Sequence, residues 1–180
     1  MSPKLHVLRR VSKFLDKDIL NKIYCSCIQP LLEYASTVWG NCSYTNLQRI
    51  QRLQNMGARI VSKNYDYINV RGLDLVKNLK WNTFKERQDY LTASLMFKCI
   101  HGKAPYYLSD NITMLCDILP YNTRNIYNMN VYVPQYRTQH YATSFSVNGP
   151  KVWNNLPNIV KDSVSIYQFK KLYKQSLLNL

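Results

Sequence analysis

Apolar residues recur every three or four positions through much of the first hundred residues, which is the spacing of helices that bury one face. The first such pattern begins near Asp16 and includes Ile19, Ile23 and Leu31. Pro30 interrupts this pattern, because a proline inside a helix removes a hydrogen bond and clashes with the preceding turn. We therefore expect a helix with a kink or a break before the segment LLEYASTVW.

A second helix is predicted in the stretch WGNCSYTNLQRIQRLQNMGARIV, residues 39 to 61. At about 100° per residue, one side carries the apolar positions Leu47, Ile50, Leu53, Gly57, Ile60 and Val61. A different side, an arc of roughly 80°, carries Arg49, Arg52, Arg59 and Lys63. This basic face is either a solvated surface or a surface that binds the phosphates of a nucleic acid. The absence of acid between Glu33 and Asp66 favours phosphates, because solvated helix faces usually interleave acidic with basic residues.

Two further helices are predicted before residue 105. Residues 68 to 80 have the pattern of a short helix. Thr83 and Glu86 have the spacing of a capping box, which favours the start of a longer helix at that point. Gly102 and Pro105 are typical of the end of that helix. Trp81 is interpreted as a packing residue.

The composition changes after Pro105, where we place a subdomain boundary. Residues 106 to 140 are rich in Tyr and Asn, and short apolar alternations around Val131 and Tyr141 favour a small β-hairpin or an extended arm. Arg124 and Arg137 lie among tyrosines. These arginines and the tyrosines beside them could stack on nucleobases or pack against each other within the protein, and the sequence leaves both open.

The last forty residues predict an amphipathic helix that docks on the rest of the chain. Ser165 and Gln168 have capping-box spacing, and they are followed by an apolar stripe at helical spacing. Trp153 and Leu156, in the preceding segment VWNNLP, are interpreted as packing residues. The fold class is therefore mainly α, with helices, then a loop-rich segment, then a C-terminal amphipathic helix.

Charge narrows the choice of partners. The chain has 180 residues, with 24 Lys and Arg against 10 Asp and Glu, a formal net charge of +14. Such an excess favours a polyanionic partner through phosphate neutralisation and counterion release, although membrane-surface proteins share it. Disorder is disfavoured because 46% of the residues are hydrophobic and 13% are aromatic. Nucleic acid is the expected partner.

Five cysteines and no long apolar run indicate an intracellular protein, nuclear or cytoplasmic. An odd number of cysteines favours free thiols in a reducing compartment. A zinc site would have to use Cys25 with Cys27, Cys42, and Cys99 with His101, and the spacers within the two pairs are shorter than tetrahedral zinc sites usually have. We therefore expect no metal, no cofactor, no membrane span and no secretory signal.

Four segments resemble a known family. They are LLEYASTVWGNCSYTNLQRIQRLQNMGARIV, FKERQDYLTASLMFKCIHGKAPYYLSD, YNTR and SFSVNGPKVWNNLPNIVKDSVSIYQFKKLYKQSLL. Together, in this order, they resemble the region after the catalytic core in reverse transcriptases of non-LTR retrotransposons, of the jockey and CR-like kind. The resemblance covers nearly the whole chain. It implies a helical thumb-like domain over residues 1 to 104 and a C-terminal segment over residues 105 to 180.

The resemblance implies a binding role and not an enzyme. Polymerisation needs carboxylates that hold two metal ions, which this family carries in a palm, and the present chain has no adjacent pair of acids. We therefore expect a fragment of a retrotransposon-derived RNA-directed DNA polymerase that binds RNA or DNA duplex backbone without sequence preference. It could also dock on a palm or fingers domain, and no small-molecule substrate is expected. The alternatives are a structural or protein-interaction module and a pseudogene remnant.

Overall fold

The computed structural model describes residues 3–40, 42–118 and 129–178, and it confirms a mainly α fold. In these ranges the helices, named here in chain order, are α1 (Pro3–Val11), α2 (Lys17–Ile23), α3 (Gln29–Glu33), α4 (Ser36–Trp39), α5 (Tyr44–Ser62), α6 (Gly72–Asn78), α7 (Phe84–Ile100), α8 (Tyr106–Ser109), α9 (Leu115–Ile118), α10 (Gln139–Thr143), α11 (Phe145–Asn154), α12 (Asn158–Lys161) and α13 (Ile166–Leu178).

The chain divides into two compact units, Met1–Gln88 and Asp89–Leu180. The division lies inside α7, whereas the sequence places a boundary after residue 104. The reason is that the apolar residues of α7 beyond residue 89 pack in the core of the second unit, together with residues from the C-terminal helices. Composition changes at Pro105, but packing assigns most of α7 to the later unit.

The interruption predicted at Pro30 takes the form of a π-helical turn. Tyr24–Ile28 forms this wider turn between α2 and α3. Pro30 is at the start of α3 and has no N–H to donate to the preceding turn, and π-bulges are a common way for a helix to absorb such a defect. Beyond α3 the chain turns at Ala35, whose φ of 51° is left-handed.

The core of the first unit gathers α1, α2, the π-helical turn and α5. Leu5, Leu8, Leu20, Tyr24 and Ile60 are buried in it. The Tyr24 ring stacks on Trp81, with centroids 4.1 Å apart and planes 9° from parallel. The Trp81 indole nitrogen also donates to Asn21 Oδ1 at 2.9 Å, which confirms its packing role. Helix α1 was not predicted from the sequence.

The capping box predicted at Thr83 is complete, and the one predicted at Ser165 forms one of its two bonds. At the start of α7, the Thr83 N–H donates to Glu86 Oε2 at 2.8 Å, and the Glu86 N–H donates to Thr83 Oγ1 at 3.3 Å. Before α13, the Gln168 N–H donates to Ser165 Oγ at 3.1 Å. Gly102 follows α7 with a φ of 65°, the left-handed conformation that commonly ends helices.

The core of the second unit centres on Trp153, whose exposed fraction is 0%. Its ring packs with Phe97 and Phe169, and its indole nitrogen donates to the Met129 carbonyl at 2.8 Å. Leu156 is partly buried against the same core. The packing roles predicted for Trp153 and Leu156 are therefore confirmed.

The neighbouring residue Asn154 fastens an extended segment to this core. Its Oδ1 accepts from the Val131 N–H at 2.9 Å, and its Nδ2 donates to the Val131 carbonyl at 2.8 Å. The buried Lys161 donates to Asn130 Oδ1 at 2.8 Å and to the Asn154 carbonyl at 3.0 Å. Asn154 thus pairs with the backbone as a neighbouring strand would.

The predicted β-hairpin is wrong where the structure describes it, whereas the part of the predicted arm around Val131 is not helical. Within the described ranges, strand pairing is limited to one antiparallel bridge between Met114 and Val131. Gln139–Thr143 and Phe145–Asn154 are helical instead of extended, and Ser144 separates the two helices. Val147, Pro150 and Trp153 are all buried and are spaced three apart, so this segment follows a helical period that outweighs the alternation around Tyr141.

Candidate nucleic-acid interface

Helix α5 is fixed to the first unit by its apolar side. Gly57, Ile60 and Val61 are buried there. Gly57 lies directly under the Tyr24 ring, and a Cβ at this position would be 3.0 Å from Tyr24 Cδ2 and closer still to Cε2. The glycine therefore allows the close approach between α5 and the π-helical turn.

Two of the predicted phosphate contacts, Arg49 and Arg52, are exposed on α5, as the sequence predicts. Lys63 is also exposed, but it lies just past the helix end with a φ of 54°. The nearest acid before the helix is Glu33, whose Oε1 is 2.7 Å from the Arg87 guanidinium nitrogen Nε. The exposed cations of α5 thus have no acid on their own helix.

Arg59 corrects the prediction, because it does not belong to the exposed face. Only 6% of it is exposed. Its guanidinium donates to the Asp66 carbonyl at 2.7 Å and to the Val70 carbonyl at 2.6 Å. The chain turns back after Lys63 and covers this end of the basic arc, so Arg59 is a structural residue and is not accessible to phosphates.

The segment that covers Arg59, residues 64 to 70, is held by its own hydrogen bonds. We call it the α5–α6 loop. The Asp66 carboxylate accepts from the Ile68 and Asn69 N–H groups at 2.9 and 3.0 Å. These bonds, together with the Asn69 side chain and the charge of Arg59, hold the pKa of Asp66 below its usual value. Sequence periodicity does not reveal such a loop, although Asn64, Asp66 and Asn69 are residues that favour turns.

The tyrosine-rich segment gives a mixed result. Arg124 lies outside the described residues. Arg137 is exposed, while the adjacent Tyr136 ring is 4.1 Å from the Lys151 ammonium nitrogen. Lys151 also donates to the Tyr136 hydroxyl at 3.0 Å. This contact supports internal packing for Tyr136, and base stacking by Arg137 stays a prediction.

The structure offers no site for metal chemistry in the part of the chain that it describes. No group of three or more His, Cys, Asp or Glu residues there could hold a metal ion. Cys25, Cys27 and Cys116 are exposed thiols, and Cys99 is buried. Burial raises the pKa of the Cys99 thiol, which disfavours the reactive thiolate form at neutral pH.

Among the described helices, none is long and apolar enough to cross a membrane.

Comparison with known proteins identifies no relative. No protein-family model, curated protein or solved structure matches this chain. The resemblance to the region after the catalytic core of non-LTR reverse transcriptases therefore stays a prediction from the sequence.

Proposed function

We propose that this chain is a non-catalytic module that binds the phosphate backbone of a nucleic-acid duplex through Arg49, Arg52 and Lys63. From the sequence resemblance, we further propose that the chain is a fragment of a retrotransposon-derived RNA-directed DNA polymerase that lacks the palm. In that setting the module grips the duplex by charge and shape, since backbone contacts carry no sequence information.

The observation that supports this proposal most strongly is the exposed, acid-free cationic side of α5. Arg49 and Arg52 are one turn apart, and no Asp or Glu lies between Glu33 and Asp66. Each of these flanking acids is engaged locally: Glu33 with Arg87, and Asp66 within the α5–α6 loop. Phosphates that approach α5 therefore meet positive charge from the helix itself, and binding releases counterions.

A protein-interaction module is the second candidate, and a groove in the second unit favours it. The groove has a volume of about 660 Å³ and is lined by Val152, Leu156, Ile159 and Leu172, among others. Such a mostly apolar groove suits an apolar side chain of a partner protein. It lies in a different unit from α5, so the two candidates can be tested separately.

The deciding experiment measures affinity for duplexes as a function of salt. A labelled RNA–DNA hybrid and a DNA duplex, each in two unrelated sequences, are titrated with the full chain by fluorescence anisotropy between about 50 and 200 mM salt. The proposal expects similar affinities for both sequences and a linear fall of log affinity with log salt. An absence of saturable binding at about 50 mM salt would overturn it in favour of the interaction module.

A further inference from the structure

The α5–α6 loop presents an aromatic ring on a rigid base. Arg59 ties together the carbonyls of Asp66 and Val70, and the Asp66 carboxylate closes the intervening turn. The Asn64 side chain adds a further bond, since its Oδ1 accepts from the Asp66 N–H at 2.9 Å. A loop held by this many bonds loses little further conformational entropy when it binds a ligand.

Tyr67 lies in this loop with the Arg59 guanidinium over its ring and most of its side chain exposed. The Arg59 guanidinium carbon is 4.3 Å from the ring centroid, yet 65% of Tyr67 remains exposed. The next residue, Ile68, is 94% exposed. Tyr65 repeats the arrangement less closely, with the Arg9 guanidinium carbon 5.4 Å from its centroid. Tyr65, Tyr67 and Ile68 are thus exposed within four residues of one another, and clustered apolar side chains mark a contact surface more often than single exposed ones do.

We infer that the α5–α6 loop is a stacking platform for an unpaired nucleobase, with Tyr67 as the ring on which the base lies. The inference rests on the proposed function, since the strand must first be held by its phosphates. Aromatic rings backed by arginine are a common surface for bases of single strands, because every base has a flat π face. Ile68 would then contact the edge of the same base.

The local charge fits this ligand. Lys63 precedes the loop and Arg71 follows it, and both are exposed, so phosphates on either side of the stacked base meet a cation. Asp66 is the one acid in the loop, and its carboxylate oxygens accept hydrogen bonds from the Ile68 and Asn69 groups within the turn. The duplex end would lie on α5, and its unpaired extension would pass over Tyr67.

The test compares a blunt duplex with the same duplex that carries a short single-stranded extension containing 2-aminopurine. The parent chain should bind the extended duplex more tightly and should quench the 2-aminopurine emission. Tyr67→Ala and Tyr67→Leu should weaken binding to the extended duplex by about 5- to 150-fold per stacked base. Their salt slope should not change, because stacking neutralises no phosphate. Tyr67→Phe, which keeps the ring, should bind as the parent does.

A matched control is Tyr167→Ala, since Tyr167 is 77% exposed and lies in the second unit; its affinity should equal that of the parent. If the Tyr67 variants bind the extended duplex like the parent while the chain still binds blunt duplex, the stacking inference fails and the proposed function stands. If the parent binds neither duplex, both fail together. Tyr67→Leu retains apolar bulk, so a loss specific to Tyr67→Ala without a loss in Tyr67→Leu also overturns stacking.

Discussion

Replacing Trp153 with alanine tests the account of the second unit. The indole is fully buried between Phe97 and Phe169 and donates to the Met129 carbonyl. Burying about 200 Å² of tryptophan at about 25 cal/mol per Å² is worth roughly 5 kcal/mol, and this is an upper bound. Measured losses for such truncations are about 3 to 5 kcal/mol, and the orphaned Met129 carbonyl adds about 1 kcal/mol.

The assay is unfolding of the full chain by heat, followed by far-ultraviolet circular dichroism. A loss of about 3 to 5 kcal/mol corresponds to a fall in Tm of roughly 6 to 20 °C for a chain of this size. Trp153→Phe is the matched control: it keeps an aromatic ring in the core but loses the hydrogen bond and part of the ring volume, so it should cost less than Trp153→Ala. An unchanged Tm for Trp153→Ala would refute the packing argument and would place the indole on a surface.

Three further predictions concern the first unit and the whole chain. Gly57→Ala should lower the free energy of unfolding by about 1 to 3 kcal/mol in urea titrations, because the new methyl group meets the Tyr24 ring, despite the better helix propensity of alanine; a more stable variant would contradict this contact. Tyr24→Phe should be neutral or stabilising at pH 7, since the buried hydroxyl has no hydrogen-bond partner among the described residues. Burial raises the pKa of Tyr24, so the unfolded chain loses that proton first and stability falls as the pH rises above about 10; urea titrations should find this alkaline loss reduced in Tyr24→Phe. The purified chain should extend no primer on any template with magnesium or manganese, and incorporation above a control without protein would overturn the non-catalytic proposal.

Local signals in the sequence were sufficient to predict much of the helical framework. The periodicity of Leu47 through Val61 predicted α5, and Thr83 with Glu86 predicted the start of α7. These signals are local because a helix face and its cap are set by residues within a few positions of each other. The burial of Trp153 was also predictable, since a tryptophan in an apolar segment before a docking helix has few other roles.

The prediction failed where distant segments decide the environment of a residue. Arg59 has the angular position of an exposed cation on α5, yet the α5–α6 loop folds back over it and uses its donors. Helical angle alone cannot reveal this cover, because it depends on the turn at Lys63 and on carbonyls several residues later. The alternation around Tyr141 misled in another way. Four positions, Tyr141 to Val147, satisfy a period of two, yet the segment is helical because Val147, Pro150 and Trp153 supply a buried face at helical spacing.

The candidate interface is therefore partly predicted and partly corrected. Arg49, Arg52 and Lys63 are accessible, and Arg59 serves the loop that follows. Phosphate binding by the three accessible cations stays a prediction, because exposure permits contact but does not demonstrate it. Removing them is expected to leave folding intact, since exposed charges contribute about 0 to 1 kcal/mol each.

The most direct test of the central claim compares the salt dependence of duplex binding in two matched triple variants. One variant carries Arg49→Gln, Arg52→Gln and Lys63→Gln, and the other replaces Lys170, Lys171 and Lys174 of α13 with Gln, which removes the same charge from the second unit. The account predicts that the first variant binds every duplex more weakly, with a log–log salt slope flatter by up to about three phosphate contacts, and that the second retains the slope of the parent. Equal slopes in the parent and the first variant would contradict the claim and identify the basic side of α5 as a solvated surface.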